Sequence, residues 1–336
     1  MADFRRILQG LCLLALVGCG REPLYQSQSY VFGTLVDISI YGESDARAAA
    51  LAGHIQQEFQ RLHNQLHAWQ PSNLSKLNAA FAAGESLPIS PELSQLLTEA
   101  TKISEASDGL FNPAIGGLIG LWGFQRDEFT AVSPDVNQIQ NLVNAKPRLS
   151  SIVIENGVAS SKNKAVKLDL GGYAKGYALD LANAYLRKEK VQGALINIGG
   201  NIIAVGQHGS RPWHVGIQHP RKPQAIATLD LPDGWAIGTS GDYQRYFMRD
   251  GQRFCHIIDP RSGQPAQGVQ AVTVLIPPSP NAGAWSDAAS KPLFISGSEH
   301  WREAANQLEL KYAMLIDAQG AIHTTPAMQE KIHFEK

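Results

Sequence analysis

The hydrophobic pattern of this chain changes period several times, and each change marks an element. Residues 30–41 alternate apolar and polar around Gly33-Thr34 and read as a strand; a helical period follows from Ser44 to about His67. Ser90-Pro91-Glu92 starts a second helix, with Ser at the N-cap and Pro just inside, which ends near Ser107-Asp108-Gly109. Ser133-Pro134-Asp135 repeats that start signal. Residues 165–170 alternate as a strand, turn on Gly171-Gly172 and enter an amphipathic helix reaching about Lys188, with Tyr177, Ala178, Leu181 and Tyr185 toward the core. Strand periods then dominate at 194–205, 213–218, 225–231, 235–240, 244–249, 254–259 and 269–276. Helical segments near Ser286 and Ser298 and a strand at 312–317 follow. Asn156-Gly157 and Asp250-Gly251 sit between β-rich runs as hairpin turns. Hairpin-linked strands among helices predict an α+β fold with mainly antiparallel sheets and packed helices, not a doubly wound one. No linker interrupts residues 30–336, so they read as a single domain with room for two lobes.

The first residues follow other rules. Arg5 and Arg6 precede an apolar run over 7–17, too short for a bilayer span and of the length of a signal-peptide core. It ends in Leu16-Val17-Gly18-Cys19, which resembles a bacterial lipobox. That resemblance implies a signal peptide over 1–18, lipidation of Cys19, and a polar tether over 19–29. The expected location is the bacterial cell envelope, lipid-anchored on the periplasmic side; an ordinary signal cleaved elsewhere is the alternative. Of three cysteines only Cys255 lies in the body, so no pair remains for a disulfide. A net charge of −1 without a basic block gives no sign of a nucleic-acid partner.

Candidate chemistry concentrates where glycine and polar residues interrupt these elements. In Asp169-Leu170-Gly171-Gly172-Tyr173-Ala174-Lys175-Gly176, two glycines at a strand-to-helix turn let backbone approach a ligand, and the helix start favours anions. Lys175 falls in the first helical turn, where its charge opposes the helix dipole. A phosphate or nucleotide partner would explain it; a glycine-rich connection with a solvated lysine is the plainer reading. Asn197-Ile198-Gly199-Gly200-Asn201, Gly238-Thr239-Ser240-Gly241-Asp242-Tyr243, the segment His256-Ile257-Ile258-Asp259-Pro260-Arg261-Ser262-Gly263 and Ser107-Asp108-Gly109-Leu110-Phe111-Asn112-Pro113 are likewise too polar and glycine-rich for core. Any one of them is commonly a satisfied turn. Together they point to a ligand-binding surface.

In order and over nearly the whole body, these segments resemble the ApbE family of FAD:protein FMN transferases. Phe32-Gly33-Thr34 is similar to an early "MGT" strand, Trp69 precedes Ser72-Asn73-Leu74-Ser75-Lys76-Leu77-Asn78 as an aromatic does in the family, and Asp108 to Pro113 resembles "D-G-x-F-D-P". Leu121-Trp122-Gly123-Phe124 follows, and Asp169 to Gly176 matches "D-L-G-G-x-A-K-G". The resemblance implies an ApbE-like, T-fold-like domain over 30–336. It also implies a magnesium-dependent reaction: FAD is split at its pyrophosphate, FMN joins a Thr or Ser hydroxyl of a target protein, and AMP leaves. The target expected is a membrane-bound or periplasmic redox subunit. By the same resemblance Phe32, Trp69, Asn112, Asp169, Lys175, Ser240 and Ile258 border the flavin nucleotide, and His256 is the general base or orients the hydroxyl. The backbone near Gly172 and the carboxylate of Asp287 would hold Mg²⁺, which prefers hard oxygen ligands.

One departure bears on the metal. The family's "A-D-A-L-A-T-A-L-F" is here Ser286-Asp287-Ala288-Ala289-Ser290-Lys291-Pro292-Leu293-Phe294, which puts Lys291 at the threonine ligand position. At (i, i+4) on a helix an ammonium there reaches Asp287 and could stand where the cation would, although Pro292 disfavours helical backbone at Lys291. A solvent-facing Lys291, with Ser290 supplying the hydroxyl, is the alternative. Asn112 and Asn201 stand where acids are common, each removing a negative charge. The functions left open are the transferase, a flavin-binding lipoprotein with weak or no transfer, and a pyrophosphatase giving FMN and AMP. Cys255, next to His256 but on the opposite side of the strand, reads as structural rather than nucleophilic.

Overall fold

The computed structural model describes residues 24–126 and 128–335; the signal segment and Cys19 lie outside them. The chain opens with β1 (Leu24–Val31) and β2 (Thr34–Tyr41), joined by a two-residue turn in which Phe32 and Gly33 both have positive φ, 57° and 72°. The expected single strand is therefore a hairpin, and 24–29, expected as tether, form most of β1. Helix α1 (Asp45–Leu66) is capped by Ser44, whose hydroxyl accepts from Arg47 N. Then come α2 (Asn73–Ala83), β3 (Leu87–Pro88), α3 (Pro91–Ala106), α4 (Gly116–Leu121) and α5 (Val136–Asn144). The α5 cap is Asp135, not Ser133. Strands β4 (Ile152–Glu155) and β5 (Val158–Ser161) flank the Asn156-Gly157 turn.

After α6 (Ala174–Lys188) the strands are β6 (Gly193–Ile198), β7 (Asn201–Gly206), β8 (Trp213–Gln218), β9 (Ala225–Leu231), β10 (Ala236–Gly241), β11 (Tyr246–Arg249), β12 (Gln252–Cys255) and β13 (Val269–Ile276). The chain ends in α7 (Ala282–Gln307), β14 (Tyr312–Asp317), β15 (Ile322–Thr324), α8 (Pro326–Gln329) and β16 (Ile332–Phe334). The two helical segments expected near Ser286 and Ser298 are the halves of α7, broken at Gly297 (φ 74°).

An antiparallel eight-stranded sheet, ordered β1-β2-β6-β7-β10-β13-β14-β15, organises the molecule, as the α+β reading expected. Alternate side chains leave it on opposite faces. Ile203, Val205, Val272 and Val274 pack with α1, α6 and α7, whereas Ile202, Ala204, Ala271 and Leu275 pack with β8 and β9 of the small sheet β16-β9-β8. The sheet is thus covered on both sides.

Residues 165–170 are extended but form no strand. Their backbone bonds run to the loop 113–116, as in Asp169 N to Pro113 O at 2.8 Å and Gly116 N to Lys167 O at 2.7 Å. Asn78 completes the pairing from the other side: its amide accepts from Leu168 N (2.6 Å) and donates to Leu168 O (2.9 Å). The buried face of α6 is also rotated from expectation. Ala178 is buried, but Tyr177, Leu181 and Tyr185 are half-buried, and Leu179, Ala182 and Leu186 form the deep stripe because α6 packs on both the sheet and α7.

Where α6 meets α7, both helices carry the pattern G-x-x-x-D, Gly176 to Asp180 and Gly283 to Asp287. A Cβ at Gly176 would lie 2.1 Å from Gly283 O, so only glycine lets the backbones approach this closely. Each Asp caps the other helix. Asp180 accepts from Gly283 N (2.7 Å) and Ala284 N (2.8 Å), and Asp287 Oδ2 accepts from Gly176 N (3.1 Å). Neither helix start has a local side-chain cap, so these carboxylates replace it. Burial pushes the Asp180 carboxyl up to about 7, against the two backbone bonds that pull it down.

Candidate active site

The crossing of α6 and α7 fixes the centre of the site. Asp287 is fully buried, and all its oxygens are engaged. Lys291 Nζ donates to Oδ1 and to the backbone oxygen of the same residue, Gly176 N donates to Oδ2, and Ser290 Oγ donates to the backbone oxygen (2.8 Å). The helix runs through Pro292, and burial of Pro292, Leu293 and Phe294 offsets the roughly 3 kcal/mol that an interior proline costs. The (i, i+4) geometry therefore holds. Burial works against charge on Asp287, but the Lys291 and Lys175 charges and the Lys291 and Gly176 hydrogen bonds outweigh it and hold the carboxyl below its ordinary range. Removing either partner of such a buried pair costs about 3–5 kcal/mol, because the other charge is left uncompensated.

Gly172 lies against this pair: a Cβ there would sit 3.1 Å from Lys291 Cε. Ser240, on β10, joins from the sheet through Ser290, with the two hydroxyls 2.7 Å apart. Lys175, in the first turn of α6, makes no hydrogen bond or ion pair among the described residues, yet its charge acts on Asp287, Lys291 and His256.

His256 follows β12 and is partly buried. Its Nδ1 lies 3.3 Å from Arg245 O, which can only accept, so Nδ1 carries the hydrogen and Nε2 the lone pair. Burial, then the charges of Arg245, Lys175 and Lys291, hold its pKa well below 6.5, so the ring is neutral. Arg245 donates to Phe124 O (2.7 Å), and its guanidinium carbon stands 6.0 Å from the centre of the Trp69 ring. Trp69 in turn meets His67 at 4.5 Å, His67 meets His63 at 5.1 Å, and His63 meets Phe32 at 5.9 Å. Beside Phe124, Gln125 donates to Asp169 Oδ2 (3.1 Å) and accepts from Lys167 Nζ (3.1 Å); Asp169 Oδ1 accepts from Gly171 N.

Most of the candidates read from the sequence lie near one another in the fold. Gly172, Asp287, Lys291 and Ser240 converge directly, while Lys175 and His256 join through the field they share. Asp169, Trp69 and Phe32 are linked through Gln125, Arg245 and the ring series. Two candidates are used differently. Asn112 spends its amide on Pro147 O and Ala114 N, and Ile258 buries its side chain among Ile115, Leu118 and Phe254, so each leaves mainly backbone for a ligand. Cys255 is structural: it is buried, burial pushes its thiol up to about 12, and it faces Ile257 O and Ala266 O. Arg245 and Gln125 were missed, although Gln125 directly follows the recognised segment 121–124 and Arg245 lies two residues past the segment ending at Tyr243. Asn201 is fully buried, and neither amide atom has a hydrogen-bond partner. By alternation it shares the face of Ile203, against the helices.

The magnesium ion implied by the resemblance does not fit this donor set. The oxygens of Asp287 are already bonded, an ammonium stands between them and Gly172, and Asn201 brings no charge. Among the described residues no group of three or more His, Cys, Asp or Glu is placed to hold a metal.

Known proteins share this architecture. The model of the ApbE family matches residues 32–316. An FAD:protein FMN transferase of Rhodobacter capsulatus is 40% identical over 303 residues, covering 90% of this chain but only 57% of that protein. One from Klebsiella pneumoniae is 32% identical over 293 residues, covering 85% and 87%. The crystal structure of the ApbE protein from Thermotoga maritima superposes with a TM-score of 0.83 at 28% identity, covering 93% of this chain and 99% of that one. With a match across most of its length and the fold reproduced, this chain belongs to the ApbE family.

Proposed function

We propose that the protein transfers the FMN moiety of FAD to a Thr or Ser hydroxyl of a target protein and releases AMP. One observation carries the reading: the Lys291 ammonium, bonded to Asp287, stands against the Gly171-Gly172 turn, and Lys175 lies in the first turn of the helix that follows it. Cations at a helix start serve an anionic ligand of high charge density, and a pyrophosphate is one. The names of the relatives supply the flavin.

In this mechanism Asp169 and Lys175 hold the nucleotide, while Trp69 and Phe32 border the isoalloxazine ring. His256 Nε2 takes the proton of the acceptor hydroxyl as its oxygen bonds to the FMN phosphorus. The anhydride P–O bond breaks, and AMP carries away the bridging oxygen with its charge stabilised by the neighbouring cations. No step runs through a metal. Lipidation at Cys19 would hold the domain at the envelope, near a membrane-bound or periplasmic redox subunit as target.

The test is mass spectrometry of a Thr-bearing acceptor peptide incubated with the protein and FAD. A peptide heavier by the FMN moiety, with AMP formed in equal amount, is expected. Free FMN and AMP without adduct would make the protein a pyrophosphatase instead. FAD bound without turnover would make it a flavin-binding lipoprotein.

A further inference from the structure

We propose that the Lys291 ammonium is the resident cation of the nucleotide site, so that this protein binds a flavin dinucleotide without a divalent ion. The inference rests on the flavin reading above and concerns how the charge of the pyrophosphate is met.

Position is the first argument. The ammonium fills the space between Gly172 and Asp287: a Cβ on Gly172 would be 3.1 Å from Lys291 Cε and 3.9 Å from Nζ, and the ammonium itself donates to two oxygens of Asp287. An ammonium has three donors. Two are used on Asp287, which leaves one for a phosphate oxygen.

Anchoring is the second. Lys291 projects from the buried first half of α7, and its side chain is only 14% exposed. Swinging it out would strip the counter-charge from Asp287, whose other carboxylate oxygen is committed to Gly176 N at the start of α6. The pair is therefore part of the helix crossing, not a surface contact that an incoming ion displaces without cost.

Charge is the third. A divalent ion entering here would meet the charges of both Lys291 and Lys175, the two cations that act on Asp287. Asp287 is the buried carboxylate bonded to this ammonium, the other buried acid of the crossing, Asp180, is committed to Gly283 N and Ala284 N, and Asn201, on the sheet face toward the helices, is neutral. One buried carboxylate balances one ammonium. It does not balance an ammonium and a doubly charged ion.

The experiment is isothermal titration of FAD into the full chain, in chelator and in millimolar Mg²⁺, for the wild type, Lys291→Thr and Lys291→Met. Thermal unfolding against Mg²⁺ without flavin runs in parallel. Wild-type affinity should change by less than about twofold between the two buffers, and its Tm should not respond to Mg²⁺. Lys291→Thr should bind FAD about tenfold or more weakly in chelator, regain affinity with Mg²⁺, and gain Tm from the ion alone. Lys291→Met should lose affinity in both buffers. Wild-type binding that disappears in chelator and returns with Mg²⁺ would overturn the inference and leave the transferase reading standing. No FAD binding in either buffer would remove both. If the variants do not fold, the two wild-type titrations decide alone.

Discussion

Adding one methyl group at Gly176 tests whether the helix crossing sets the geometry of the site. In Gly176→Ala the new Cβ would stand 2.1 Å from Gly283 O, 2.6 Å from Gly283 C and 2.7 Å from Ala284 Cα. All three are backbone atoms, so no side chain can swing aside. The start of α7 must retreat by about 1 Å to restore van der Waals contact, at roughly 1–3 kcal/mol for overpacking. That retreat stretches the Asp180 bonds to Gly283 N and Ala284 N, and the Gly176 N bond to Asp287. Hydrogen bonds to charged groups contribute about 1.5–3 kcal/mol each, so partial loss adds about 1–2 kcal/mol. Helix propensity returns about 1 kcal/mol, which leaves a net loss of about 1–4 kcal/mol. For a chain of this length the expected fall in Tm is roughly 2–6 °C. Gly53→Ala, inside α1 with nothing within 4 Å of the added Cβ, has the propensity gain without the clash and should be slightly stabilised. Differential scanning calorimetry of both variants reads the difference. Equal Tm shifts would refute the argument that Gly176 holds the helices at this separation.

His256→Ala should lower FMN transfer by about 10²–10⁴-fold while FAD affinity stays nearly constant, which kinetics and titration separate. Because burial and neighbouring cations hold the imidazole pKa well below 6.5, the acid limb of the transfer rate should lie below that pH; a limb at or above it would remove His256 as the base. The sign for stability follows: the unfolded chain takes up a proton first, so the fold should lose stability as pH falls below 6.5, a slope absent from His256→Gln. Cys255 should resist thiol reagents in the native protein and react after denaturation, with the labelled peptide located by mass spectrometry; native labelling would show that its thiol is not sealed in the core.

Much of the architecture is local and was therefore legible. Ser44 and Ser90 announce α1 and α3 because a cap is a bond between residues three apart, and Asn156-Gly157 and Asp250-Gly251 announce hairpins because positive φ has a residue preference. The site segments were visible for the same reason: glycine and polar runs break the hydrophobic period. The (i, i+4) spacing of Asp287 and Lys291 already contained their contact.

What the tertiary structure decided is everything that depends on a partner distant in the chain. Residues 165–170 have strand alternation, yet Asn78 and the loop 113–116 pair with them, so they never enter the sheet. The buried face of α6 turned because α7 competes with the sheet for it. Arg245 and Gln125 look ordinary in sequence, and their roles arise from residues distant from each, Trp69 and Phe124 for Arg245 and Asp169 for Gln125. Asp180 and Asp287 read as two acids on two helices, and only the close approach at Gly176 and Gly283 makes each the cap of the other. Local bonds are written in neighbouring residues. Burial, charge balance and the exchange of caps arise only when distant segments share one desolvated space.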